Sequence, residues 1–131
     1  MLPGMPSKVL ALLVALLMPT AAVQVASAKG DDDGVSASGS CTGSATSKLK
    51  AEKDDGMIEV EFEVDQNRNG VSWTVVLRRN GKQVHKSTRK TKAPSGSFDV
   101  ERKIADPAGT DTITARATNR AGQVCTARVR I

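Results

Sequence analysis

The chain has few of the residues from which most catalytic sites and aromatic stacking sites are built. Its 131 residues include no tyrosine, one tryptophan, two phenylalanines, one histidine and two cysteines. All three aromatic residues fall at inward positions of predicted strands, which leaves no exposed platform on which bases or sugar rings could stack. We therefore expect no specific nucleic-acid recognition. His85 is the only histidine, with no acidic residue on its predicted strand, so we predict no catalytic residues and no enzyme.

Long apolar runs are confined to the first residues of the chain. Residues 9–18 (VLALLVALLM) follow Lys8 and precede the small-x-small sequence at 26–28. This is the pattern of a signal peptide, and the run is short for a membrane-spanning helix. We predict a signal peptide over residues 1–28, with a retained anchor as the alternative, and a secreted protein. Residues 29–40 (KGDDDGVSASGS) offer almost nothing to bury, which predicts a disordered leader.

The rest of the chain, residues 41–131, shows the two-residue period of β-strands. In residues 57–65 (MIEVEFEVD), four apolar residues alternate with three glutamates, so one face is apolar and the other acidic. Similar short segments occur around Leu49 and at 71–77, 82–91, 97–104, 112–118 and 127–131. No segment has a helical period. The sequence predicts one all-β domain, an immunoglobulin-like antiparallel β-sandwich of about seven strands.

Two dipeptides predict tight hairpins and so fix strand registers. Asp55-Gly56 places Lys50 opposite Glu61 on the outer face, where opposite charges stabilise the pairing.

Asn80-Gly81 is the second such turn. It places Leu77 opposite Val84 and predicts that His85 lies on an outer face.

The two cysteines are expected to form one disulfide. Exported chains with an even number of cysteines oxidise them. The predicted registers bring the first strand and the loop at 119–122 (NRAG) to the same end of the sandwich, so Cys41 and Cys125 become neighbours. Two free thiols or a metal pair are the alternatives, and a single histidine makes neither attractive. We predict no metal and no cofactor.

Residues 65–70 (DQNRNG) fit the first half of a calcium loop, with Asp, Asn, Asn and Gly at positions 1, 3, 5 and 6. Such a loop needs an acid at position 12, which here is Val76, and several carboxylates, whereas this loop has Asp65 beside Arg68. Asn, Asp and Gly are also typical turn residues. We predict a turn between strands rather than a metal site.

The strand sequences resemble those of known domains. Trp73 with the following VVLRRNG resembles the third strand of an immunoglobulin or fibronectin type III domain, and residues 113–122 (ITARATNRAG) resemble the end of the sixth. Ile113 and Ala115 stand where antibody-type domains have a tyrosine and their second cysteine, so an end-to-end disulfide would replace the inter-sheet one. Residues 41–131, with D-x-N-x-x-G-x-x-W, S-G-S-F and A-G-T-D, resemble a group of small secreted actinobacterial proteins. That resemblance implies fold and export, and no assigned activity.

The cationic residues cluster in the second half of the chain. Residues 71–92 contain seven Lys or Arg and residues 112–131 contain four Arg, with no Asp or Glu in either segment. Because these segments share one sheet of the predicted sandwich, we expect one basic outer face that attracts polyanions. The predicted anion-binding residues are Arg78, Arg79, Lys82, Arg89, Arg116, Arg128 and Arg130.

The predicted function is that of a secreted, monomeric interaction or adhesion module at the cell surface. Its partner would be an anionic cell-wall polymer or an acidic protein surface. The same charges have an alternative explanation. The basic face could serve only solubility, and its lysines could protect an edge strand from aggregation. The alternative functions are a carrier of a small apolar ligand and a protein-binding or inhibitor sandwich.

Overall fold

A computed structural model describes residues 34–131, which form nine strands in two antiparallel sheets. The strands are β1 (Gly34–Ser38), β2 (Ser40–Cys41), β3 (Thr46–Asp54), β4 (Met57–Asp65), β5 (Ser72–Arg79), β6 (Lys82–Lys90), β7 (Ser97–Ala105), β8 (Thr112–Asn119) and β9 (Val124–Arg130). The predicted signal peptide at 1–28 and the first part of the leader, 29–33, lie outside the described residues.

The two sheets form a sandwich, which confirms the predicted fold class. One sheet has the strand order β1-β3-β4-β7 and the other has the order β2-β9-β8-β5-β6. The segments around the second hairpin and at the end of the chain therefore share one sheet, as predicted. Residues 34–131 contain no helix with the length and apolarity needed to span a membrane.

The core lies between the inward faces of the two sheets. From β4, Ile58, Val60, Phe62 and Val64 are fully buried, because every second residue of the strand points to the same side. Trp73 of the opposite sheet is also fully buried and reaches the ring of Phe98 on β7, with ring centroids 6.4 Å apart.

The hairpin between β3 and β4 has the predicted register. Asp55 and Gly56 both adopt positive φ angles, 56° and 81°, as a two-residue primed turn requires. Lys50 pairs with Glu61, and their charged groups are 3.6 Å apart. A one-residue slip would have turned the apolar face of β4 toward solvent.

The predicted seven strands and the disordered leader need correction at the start of the chain. Residues 34–38 form β1, which pairs with β3 at the edge of the four-stranded sheet, and the chain then crosses to the other sheet as β2. Edge pairing needs only backbone groups, so a run of small residues is sufficient. Ala37 packs against the core. A side chain at Gly39, where the chain crosses, would overlap Ser47 and the carbonyl oxygen of Thr126.

The predicted disulfide is confirmed. Cys41 on β2 is paired directly with Cys125 on β9, their Cα atoms lie 4.0 Å apart, and their sulfur atoms are bonded. The bond joins positions 84 residues apart in the chain. It therefore fixes the N-terminal edge strand to the last strand of the same sheet.

Residues 65–70 form the predicted turn. The backbone N–H of Asn67 donates to Asp65 Oδ1 at 3.0 Å, and Asn67 has a φ of 58°. Gln66 accepts from Trp73 Nε1 at 3.1 Å and donates to Gln123 Oε1 at 2.9 Å. The turn is thus attached both to the core tryptophan and to the loop between β8 and β9.

Candidate anion-binding face

The charged side chains on the outer face of the five-stranded sheet are all cationic. The cationic side chains at outward positions of β5, β6, β8 and β9, here called the basic face, are Arg78, Lys86, Lys90, Arg116, Arg128 and Arg130. Within residues 34–131 no Asp or Glu occupies an outward position of these strands. Because charges of one sign add over a flat surface, this face generates a positive potential.

Three arginines surround a groove on the basic face. Arg78, Thr114 and Arg128 form one row across β5, β8 and β9, and Arg116 stands on β8 in the next row. Strand spacing places the Cα atoms of Arg78 and Arg128 about 10 Å apart, with that of Arg116 about 8 Å from each. The groove has a volume of about 490 Å³, and Ser40 and Thr126 also line it.

The arginines around the groove are free of internal ion pairs. The ion pairs within residues 34–131 join lysines or Arg79 to carboxylates, and none involves Arg78, Arg116, Arg128 or Arg130. Arg116 and Arg128 are exposed, whereas Arg78 is half-buried. A guanidinium binds phosphate or carboxylate through two parallel hydrogen bonds. These three groups are therefore free to bind successive anionic groups, and the threonine hydroxyls between them can also donate.

The structure places four of the seven predicted residues together. Arg78, Arg116, Arg128 and Arg130 share the basic face as expected, whereas the placement of Arg89 on that face is wrong.

The cause is a β-bulge between β5 and β6. Leu77 pairs with His85 instead of Val84, because one extra residue enters β6 at this point. His85 and Arg89 consequently turn toward the inward side of this edge strand. Lys86 and Lys90 occupy the outward positions instead.

Arg79 and Lys82 also lie off the basic face. Arg79 pairs with the core residue Ile113 and is directed inward. Its Nη1 donates to the carbonyl oxygen of Ala105 at 2.8 Å, and its Nε lies 3.9 Å from Oδ1 of the buried Asp111. Arg79 thus joins the two sheets. Lys82 is paired with Arg79 beside the hairpin and is exposed.

His85 lies at the open edge between the two sheets. Burial lowers the pKa of His85 below its ordinary value of 6.5, and the positive charges of Arg102 and Arg89 lower it further. Its Nε2 is 3.1 Å from Ser87 Oγ, so the ring and the hydroxyl share a hydrogen bond. The prediction that His85 is on an outer face is therefore wrong, for the same reason as for Arg89.

The outer face of the four-stranded sheet is acidic. This surface, here called the acidic face, carries Glu52, Glu59, Glu61, Glu63, Asp99 and Glu101 among Lys48, Lys50 and Lys103. Each of its three central cross-strand rows contains two carboxylates and one lysine; these rows are Glu52–Glu59–Lys103, Lys50–Glu61–Glu101 and Lys48–Glu63–Asp99. In each of these rows the carboxylates outnumber the lysines by one.

The centre of the acidic face brings three carboxylates close together. Oxygens of Glu61, Asp99 and Glu101 lie within 4.8 Å of one another. Within the described residues, Lys50–Glu61 is the one ion pair that involves a glutamate of β4. The β4–β7 pairing that brings Asp99 and Glu101 beside them joins distant parts of the chain, and no turn signal predicts it.

Comparisons with known proteins do not assign this chain to a family. No protein-family model matches the chain, and neither a curated protein nor a solved structure shows significant similarity to it. The resemblance to small secreted actinobacterial proteins therefore stays a prediction, and the two charged faces are the features of the molecule that bear on its function.

Proposed function

We propose that this protein is a secreted, non-enzymatic adhesion module that binds an anionic cell-wall polymer through its basic face. The observation that carries the proposal is the absence of any carboxylate among the outward residues of β5, β6, β8 and β9, which together hold six cations. Lysines that only serve solubility are usually interspersed with acids. A face of one sign attracts polyanions.

The layout of the face suits an extended polymer better than a small anion. A small anion is held by donors that converge on one point, whereas these cations are spread over rows about 7 Å apart along the strands. β5 and β8 are eight residues long, so the face extends over about 26 Å. A flexible chain with repeated phosphate or carboxylate groups would contact several arginines in succession, and each contact would release counterions.

The disulfide supports export. Structural disulfides persist in oxidising environments outside the cytosol, and Cys41–Cys125 joins the edge and end strands of the domain. Cleavage at the predicted signal-peptide site would leave Lys29 as the first residue. Mass spectrometry of the protein purified from the culture medium of an expressing host is expected to show this start. Intact chains beginning at Met1 and held in the cell membrane would contradict export.

The surroundings of the only histidine support a role without catalysis. The His85–Ser87 contact resembles a nucleophile and its base, but a general base must become an imidazolium during the reaction. Burial and the neighbouring Arg102 and Arg89 lower the pKa of His85 and so disfavour that charged form. A serine hydrolase requires surroundings that stabilise the imidazolium, whereas the surroundings of His85 destabilise it.

Co-sedimentation with purified cell wall tests the proposal. We expect the purified protein to pellet with the wall at low salt and to be released at high salt, because screening weakens contacts between exposed charges. The variant R116E/R128E reverses two charges at the groove, and its affinity is expected to fall by about tenfold or more.

The matched control is K82E/K92E. It changes the net charge by the same amount, but Lys82 and Lys92 are exposed and lie off the basic face, with Lys92 bridged to Ser97 of the other sheet. Its affinity is expected to stay within about twofold of the unmodified protein. Equal losses in the two variants would show that net charge, and not this face, governs binding. No binding at low salt would exclude the wall polymer.

A further inference from the structure

The acidic face has a composition that is costly for an isolated molecule. Carboxylates stand directly opposite each other in three cross-strand pairs, which are Glu52–Glu59, Glu61–Glu101 and Glu63–Asp99. Like charges at such positions destabilise a sheet. Each of these rows contains one lysine for its two carboxylates, and Lys103 makes its ion pair with Asp54, which lies outside the three rows. Cations of a second molecule placed over this face would relieve the excess charge.

The protein carries a matching set of cations on its opposite side. The basic face belongs to the other sheet of the sandwich, so the two faces point in opposite directions. Their strands have comparable lengths, nine residues in β3, β4 and β7 and seven to nine in β5, β6, β8 and β9. Both are faces of pleated sheets, so they have similar shape as well as opposite charge.

We infer that the acidic face binds the basic face of a second copy of this chain. Arg116 and Arg128 of one copy would lie over the Glu61, Asp99 and Glu101 cluster of the next. The two surfaces are different, so the contact is heterologous and repeats from copy to copy, which builds linear stacks rather than closed dimers. The contact also covers the basic face, so stacking and polymer binding would compete for Arg116 and Arg128, but the inference does not depend on the polymer proposal.

The net charge of the protein and the salt concentration determine when stacking occurs. The full chain has a net charge of +5, so copies repel one another at very low salt, where the Debye length is about 30 Å. At about 0.1 M salt the Debye length is about 10 Å, which screens this overall repulsion but preserves attraction between touching faces. At about 1 M salt it is about 3 Å, and the stacks are expected to dissociate.

Sedimentation velocity of the purified protein over a range of concentrations tests the inference. At about 0.1 M NaCl we expect the weight-average sedimentation coefficient to rise with protein concentration, and the apparent dissociation constant to increase by about tenfold or more at 1 M NaCl. The buffer contains EDTA, so bridging by a divalent cation at the carboxylate cluster does not contribute. A protein that stays monomeric throughout, or that associates only when EDTA is replaced by calcium, would overturn the inference.

A mixing experiment identifies the faces involved. E61Q/E101Q neutralises the acidic face, and R116Q/R128Q neutralises the basic face. Each variant alone is expected to stay monomeric, because each retains only one of the two complementary surfaces. Their mixture is expected to form 1:1 pairs and nothing larger, since the first supplies an intact basic face and the second an intact acidic face.

Two controls keep the outcome unambiguous. K82Q/R120Q removes two exposed cations that lie outside both charged faces and is expected to stack like the unmodified protein. E61Q/E101Q removes both the repulsive Glu61–Glu101 pair and the Lys50–Glu61 ion pair, so its melting temperature is expected to stay close to that of the unmodified protein, which shows that it is folded. If the mixture fails to pair while the unmodified protein stacks, another surface makes the contact and the inference is wrong.

Discussion

Replacing both cysteines with alanine (C41A/C125A) is expected to lower the free energy of unfolding by about 5 kcal/mol. The disulfide closes a loop between positions 84 residues apart, and the chain-entropy relation gives about 4.6 kcal/mol for a loop of this length at 25 °C. Cys125 is also fully buried, so truncation to alanine removes core contacts worth on the order of 1 kcal/mol. Residual structure in the unfolded chain acts in the opposite direction.

This loss is large against the stability of the whole domain. Small domains have about 0.05–0.15 kcal/mol of stability per residue, or about 5–15 kcal/mol for about 100 residues. The variant is therefore expected to be marginally folded at 25 °C. It should also have a larger denaturant slope, because its unfolded chain is less compact and exposes more surface.

Urea unfolding followed by tryptophan fluorescence measures the effect. Trp73 is the only tryptophan and is fully buried, so its emission reports global unfolding. The matched control is the unmodified protein in excess reductant, which removes the bond but keeps both sulfur atoms. A loss below about 1.5 kcal/mol in both samples would refute the loop-entropy reasoning. A large loss in the alanine variant alone would assign the effect to packing.

Three further substitutions test particular features of the structure. Arg79→Gln removes the charged hydrogen bond to the carbonyl of Ala105 and is expected to cost about 2 kcal/mol in urea unfolding, with wall affinity unchanged. A loss of affinity for the cell wall would show that Arg79 belongs to the binding surface after all. Gly96→Ala places a methyl group onto the backbone nitrogen of Arg68 at a residue with a φ of 71°, so we expect a loss of about 2 kcal/mol or more; a melting temperature within error of the unmodified protein would contradict that contact. The pKa of His85 is lowered on folding, so the unfolded chain binds the extra proton and stability falls as the pH drops through 6.5. His85→Gln is expected to reduce the difference in melting temperature between about pH 8 and about pH 5, and an unchanged difference would show that another group controls it.

The sequence predicts best those parts of the fold where local chemistry determines the pairing. Asp55-Gly56 specifies a two-residue turn, and the alternation in β4 allows one register only, so Lys50 opposite Glu61 could be derived in advance. The cysteine pair followed from the same registers. β1 was missed because its residues are small and polar, and an edge strand is held by backbone hydrogen bonds that leave no hydrophobic pattern.

The candidate site could be predicted only in part. The arginines of β8 and β9 follow from strand alternation, whereas the bulge that turns Arg89 inward adds a single residue to β6 and has no sequence signal. The clustering of Glu61 with Asp99 depends on the pairing of β4 with β7, which are separated by a complete hairpin of the other sheet. Non-local pairing of this kind is decided by packing of the whole sandwich.

The central claim is that the basic face is the surface that binds anionic polymer. The most direct test is an NMR titration of the isotope-labelled protein with soluble inorganic polyphosphate at low salt. We predict that the largest amide shifts map to the groove, at Thr114, Arg116, Thr126 and Arg128, and that high salt reverses them. Shifts centred on the β6–β7 edge around His85, or no shifts at any polymer concentration, would contradict the account.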